Sequence, residues 1–278
     1  MRTENLVVTV AGLLAVTLAV LISWRWRRAP TAPSPVEELP TRRVAAIDGL
    51  RVLAANLAAA TVAGFLVPGV AGRLLMRVLG ATSGDRAQGR LTEADEVVGE
   101  ITFGGSLAFV LFVGVLLPVF STLPYLLIRR ILPATAWAAG LVYGLILLAL
   151  VGTADPLSPD NVDFDILRPL PLAIALISVT ALLYGTTFVA LSSHFESGLR
   201  DPGKRRARYG PFAAFVWLML PPMAMASGVY MLVRVLSRGR VGVALDRVGN
   251  RWVTGTLVAA GTVVSVLVVV AAAQQILD

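Results

Sequence analysis

The chain contains no cysteine, a single histidine (His194) and a single lysine (Lys204), so its 24 basic residues are otherwise all arginine. Without cysteine there is no thiolate nucleophile, no disulfide and no cysteine-held zinc or iron–sulfur site. One imidazole leaves little scope for histidine acid–base chemistry. The sequence has no Walker loop, no GxSxG elbow and no HExxH helix. Charge is also scarce, at 15% of residues. The arginines are spread over many short stretches and form no continuous basic stripe interleaved with aromatics, which argues against a nucleic-acid surface. No polar stretch reaches the roughly 50 residues that a self-sufficient soluble domain needs. The carboxylates lack histidine or cysteine partners, so an intramembrane enzyme ranks behind non-catalytic readings, and no cofactor is expected.

What the sequence has is long apolar runs. Hydrophobic residues make up 56% of it and the mean hydropathy is +0.78, which makes the bilayer its solvent. The runs predict an all-α polytopic membrane bundle of about seven transmembrane helices, six being the alternative count. They are Leu6–Trp24, Leu50–Gly72, Ile101–Ile128, Leu132–Val151, Pro169–Ser192, Pro211–Leu236 and Trp252–Ile276. Each covers a hydrocarbon core of about 30 Å at 1.5 Å per residue. Residues 1–28 read as an N-terminal signal-anchor helix, because the charge (Arg25, Arg27, Arg28) follows the apolar core and no small-residue cleavage site is evident. Residues 29–49 read as a proline-rich cytoplasmic linker, and residues 50–278 as a six-helix membrane bundle.

The positive-inside rule sets the threading. The two densest basic clusters, Arg25–Arg28 and the stretch from Arg200 to Arg208, follow the first and fifth spans. Both fall inside if the N-terminus lies outside the cytoplasmic membrane. With seven spans the C-terminus is then cytoplasmic and the loop carrying Arg238, Arg240, Arg247 and Arg251 is outside. Arginine over lysine and abundant alanine and valine point to a prokaryotic, GC-rich source.

The longest polar interruption, Gly72 to Gly105, separates its signs: Arg73, Arg77, Arg86 and Arg90 come first, then Glu93, Asp95, Glu96 and Glu100. Thr92 with Asp95 has the form of a capping box. A helix starting there places Glu93, Glu96 and Glu100 on one face, opposite Arg73 and Arg77 at the end of the preceding helix. Ionisable groups at membrane depth are costly enough to suggest a role, here a charged binding mouth; a structural clasp between two antiparallel helices is the competing description.

Three further features stand out. The loop holding Asp160, Asn161, Asp163 and Asp165 has the alternating oxygen spacing of a calcium loop, but Ile166 and Leu172 replace the glycine and glutamate such a loop requires. Asx-turns and helix capping explain the same residues. Pro221 and Pro222, in the middle of the sixth run among several methionines, make it a helix hinge. Glycines, including the GxxxG of Gly140 and Gly144, predict close packing of the third and fourth spans.

These features rank a permease-like or carrier-like protein for a small solute, ion or lipid first. A non-catalytic accessory or structural subunit of a membrane assembly ranks second. The expected partners are the lipid bilayer, a small solute or ion, and either a second copy of the chain or another subunit of a membrane complex.

Overall fold

A computed structural model describes residues 3–28, 42–92, 97–98, 100, 102–199 and 251–277. Among these residues the fold is an all-α bundle with six helical spans long and apolar enough to cross a membrane: Leu6–Arg25, Arg51–Thr82, Phe103–Ile128, Ala136–Ala154, Leu170–Gly198 and Gly255–Leu277. The sixth expected run, 211–236, with Pro221 and Pro222, lies outside the described residues.

The first span is α1 (Thr3–Arg25). The second begins as α2 (Arg42–Gly64), passes through a π-helical segment (Phe65–Ala71) and ends as α3 (Gly72–Thr82). Pro68 sits inside the π segment. A proline lacks the N–H and crowds the carbonyl four residues back, and a π turn gives it room. The third span repeats the arrangement: α4 (Phe103–Leu111), a π segment (Phe112–Leu116) and α5 (Leu117–Ile128), with Pro118 in the first turn of α5. After them come α6 (Ala136–Leu150), the short α7 (Asp163–Ile166), α8 (Leu170–Leu199) and α9 (Arg251–Leu277).

The connection between α3 and α4 departs from expectation. Gly84 and Gly89 adopt positive φ, 67° and 76°, a region open to glycine at no steric cost. The chain then reverses: the Gly89 N–H donates to Val98 O and the Val98 N–H to Arg90 O, with a bridge between Leu91 and Val97. The helix therefore does not start at a capping box on Thr92. It starts at Phe103, where Thr102 is extended and its hydroxyl accepts from the Gly105 N–H at 3.0 Å.

Side-chain contacts fix which helix ends lie together. Trp26, in the turn after α1, stacks on His194 of α8 at 4.2 Å, and the Trp137 N–H at the start of α6 donates to Arg27 O. The C-terminal ends of α1 and α8 and the start of α6 therefore share one end, here the arginine end. At the opposite, connection end, the Arg168 N–H donates to Ser83 Oγ at 2.8 Å. Ala272 and Ile276 in the last turns of α9 are buried, Ile276 in one cluster with Leu79, Leu148, Leu157 and Phe164. The start of α1 and the end of α9 thus lie at the connection end of the described bundle. The 27 residues of α9 span about 40 Å, so Arg251 returns to the arginine end, where α8 finishes.

Glycine sets the helix spacing. Gly140 and Gly144 of α6 do meet a partner closely, but it is α8 and not the third span. A Cβ on Gly185 would sit 2.6 Å from Gly144 Cα, and one on Gly140 would sit 2.5 Å from Thr186 Cα. The third span uses Gly114 against α2's extension, where a Cβ would lie 2.8 Å from Gly69 Cα, so the two π segments cross at a glycine pair. The helix α2 is central: Ala54, Ala55, Ala58, Ala59, Ala60 and Ala63 are all buried, and small residues let backbones approach where lipid supplies no hydrophobic drive between helices.

Three outcomes follow. Gly185→Ala should destabilise the folded protein by about 1–3 kcal/mol through overpacking, measured by thermal denaturation in detergent. Gly261→Ala, at a position that meets nothing within 4 Å among the described residues, should be neutral or stabilise by up to about 1 kcal/mol through helix propensity. Reporter fusions at the C-terminus and after Gly84 should report the same side of the membrane, and a fusion after Arg28 the other side; a C-terminal fusion that sides with Arg28 contradicts this path.

Candidate functional site

The residues singled out from the sequence are dispersed. Arg73 and Arg77 lie half-buried on α3. The Arg73 guanidinium sits 4.7 Å over the ring of Phe109, and its Nη1 is 3.8 Å from Met76 Sδ. Glu100 is exposed in the stretch before Thr102, its N–H donating to Val97 O. Glu93 and Glu96 lie outside the described residues. In the acidic loop, Asn161 is buried: its Oδ1 accepts from the Asp163 N–H at 2.8 Å and its Nδ2 donates to Asp155 O at 3.3 Å. That is an Asx-turn opening α7. Asp160 and Asp165 are exposed, and the described residues contain no group of three or more His, Cys, Asp or Glu side chains able to hold a metal ion.

Instead, the structure brings charge together at the arginine end. Glu196 of α8 is 17% exposed and Arg129, which caps the C-terminus of α5, is 7% exposed. The Arg129 Nη1 donates to Glu196 Oε1. The same oxygen accepts from Asn56 Nδ2 of α2 at 2.6 Å, and that amide also donates to Val52 O at 2.8 Å. One carboxylate oxygen thereby ties three spans. A cation at a helix C-terminus also suits the helix dipole.

Deeper along the same faces lie buried oxygens that have no hydrogen-bond partner among the described residues: Asn56 Oδ1, Thr122 Oγ1, Ser192 Oγ and Ser193 Oγ. Thr122, Ser192 and Asn56 are fully buried. Other hydroxyls in the spans donate to the carbonyl one turn back, among them Thr61 to Leu57, Ser178 to Ile174 and Thr262 to Val258. Thr122, Ser192 and Ser193 do not. Each unpaired buried polar group costs about 1–3 kcal/mol, so a concentration of them beside a buried ion pair needs a reason.

Beneath this layer the seam is sealed by aromatic rings. Phe188 meets Tyr125 at 4.9 Å, Tyr143 at 5.7 Å and Tyr184 at 5.8 Å. The Tyr143 hydroxyl donates to Ser121 O, and the Ser121 and Tyr184 hydroxyls share a hydrogen bond of 2.7 Å. On the α1 side, Ser23 and Thr187 hydroxyls pair at 3.1 Å. A carboxylate, a guanidinium, an amide and three hydroxyls thus lie toward this end of the seam.

Sequence reading missed this group for definite reasons. The apolar run of the fifth span stops at Ser192, whereas α8 runs on to Leu199 and carries Glu196. Arg129, at the end of the third run, has nothing in its sequence context to set it apart from the other arginines that flank runs. Asn56 was the available signal: a lone amide in the run LAANLAAATVAG.

Truncating one partner of the pair should be worse than removing both. Arg129→Ala should cost about 3–5 kcal/mol, and Arg129→Met with Glu196→Met together markedly less, read as thermal or denaturant midpoints in detergent. Comparison with protein families, curated proteins and solved structures finds no match to this chain.

Proposed function

We propose that this multi-pass membrane protein is carrier-like, binding and passing a small solute, ion or lipid through the seam between α2, α5 and α8. The observation that carries the reading is the buried Arg129–Glu196–Asn56 clamp lying over unpaired oxygens. Ionisable groups facing a bundle interior mark solute and ion paths, and a clamp formed by one ion pair can open. The crossing of the two π segments at Gly69 and Gly114 supplies the bendable place, since π segments and small-residue crossings accommodate backbone movement. Arg73 and Arg77, with the acids from Glu93 to Glu100, form the opposite mouth. Pro221 and Pro222 add a second hinge.

The arginine end faces the cytoplasm in this reading. Arg25, Arg27, Arg28, Arg129 and Arg130 lie at it. That asymmetry obeys the positive-inside rule, with α1 an uncleaved anchor and the cell membrane as location.

The alternative, an accessory subunit, draws on α9, whose Gly255 and Gly261 meet nothing within 4 Å among the described residues. Because the chain lacks cysteine, one experiment separates the two. Ser192→Cys should react with a water-soluble maleimide added from the cytoplasmic side, and Glu196→Gln in the same background should raise the labelling rate several-fold. An unreactive cysteine in both backgrounds, in protein that co-purifies with a stoichiometric partner, overturns the carrier reading.

A further inference from the structure

The chemistry of the seam narrows what it binds. Side chains on a helix lean toward its N-terminus. The helices α5 and α8 both run toward the arginine end, so Arg129 and Glu196 lean back into the bundle, toward Thr122 and Ser192. The helix α2 runs the other way, so Asn56 leans toward Glu196, as its 2.6 Å contact shows. A Cβ on Gly64 would meet Pro118 Cβ at 2.5 Å. With α2 antiparallel to α5, Asn56, eight residues earlier, stands level with the part of α5 between Thr122 and Arg129. Ser192 is one turn, about 6 Å, below Glu196. Asn56 and Glu196 therefore share one layer of the seam, and Thr122 and Ser192 stand about one turn, ~6 Å, below it.

Their hydrogen-bonding capacity is one-sided. Both donors of the Asn56 amide are engaged, by Val52 O and Glu196 Oε1, which leaves Oδ1 as an acceptor. The hydroxyl oxygens of Thr122 and Ser192 are unpaired, and Glu196 supplies a carboxylate. A set of oxygens of this kind, without nitrogen or sulfur, suits a hard cation. An ion that takes the place of Arg129 on Glu196 leaves the site neutral if it is monovalent, whereas a divalent ion leaves one uncompensated charge in a low-dielectric interior.

We propose that the seam binds a bare alkali cation through Asn56 Oδ1, the hydroxyls of Thr122 and Ser192 and the Glu196 carboxylate, and that the cation competes with Arg129 for Glu196. The proposal rests on the carrier reading and adds its coupling step. Cation entry frees the Arg129 guanidinium toward the arginine end, where its neighbour Arg130 is exposed, and the clamp opens.

The test uses the full-length protein in detergent at constant ionic strength, with choline chloride replaced by sodium or potassium chloride. At least one of the two salts should raise the thermal midpoint saturably, by about 2–4 °C or more at saturation. Thr122→Val and Ser192→Ala, near-isosteric changes that remove only an oxygen's function, should keep helical, monodisperse protein and lose the cation-dependent part. Direct binding of radioactive sodium or potassium to the wild type should reach one ion per chain, a reading that needs no variant. Equal midpoints in all three salts overturn the proposal, as does a cation effect that survives in the Thr122→Val, Ser192→Ala double variant. If those results occur while Ser192→Cys is still labelled, the cation site falls and the carrier reading stands.

Discussion

One carboxylate oxygen, Glu196 Oε1, holds the arginine end of the bundle together by accepting from Arg129 of one span and Asn56 of another. In a bilayer the alternatives for these groups are poor. Arg129 is buried, and a buried charge deprived of its counter-ion costs several kcal/mol. The positions of α2, α5 and α8 at this end therefore depend on each other. Burial of the Tyr125, Tyr143, Tyr184 and Phe188 rings depends in turn on those positions.

The rest of the bundle is arranged by backbone proximity. The helices α6 and α8 approach so closely at Gly140, Gly144 and Gly185 that no side chain fits between them, which makes this pair the rigid partner. The α2 and α4 spans also meet at glycines, but each is interrupted there by a π segment and by Pro68 or Pro118. A close crossing between regular helices and one between interrupted helices differ in what they permit. The first resists shear, and the second can rearrange with little change in hydrogen bonding. The clamp bridges the two, because Glu196 belongs to the rigid pair and Asn56 and Arg129 to the interrupted one.

Much of this fold was legible in the sequence, since run length and hydropathy report directly on the bilayer's thickness. Thr92 with Asp95 illustrates what was not. A capping box is a local preference, and it lost to the turn geometry that Gly84 and Gly89 allow. The direction of α9 was equally hidden, because its burial against Leu79, Leu148 and Leu157 is a long-range fact. For the site, charge attracted attention to Arg73 and Glu100, where it was dense. The informative residues were the sparse ones: Asn56 in an alanine-rich run, and Glu196 one turn beyond Ser192 and Ser193. In an apolar segment a single polar side chain must find a partner on another helix, so its isolation is the signal.

The central claim is that Glu196 holds α5 and α8 together at the arginine end and that releasing it lets them part. Spin labels on Arg130→Cys and Ser197→Cys, both exposed positions in a chain free of native cysteine, would report that separation by pulsed electron paramagnetic resonance in lipid. The account predicts a single narrow distance with Glu196 intact, and a longer or clearly broadened distribution with Glu196→Gln. The same narrow distance in both proteins would contradict it.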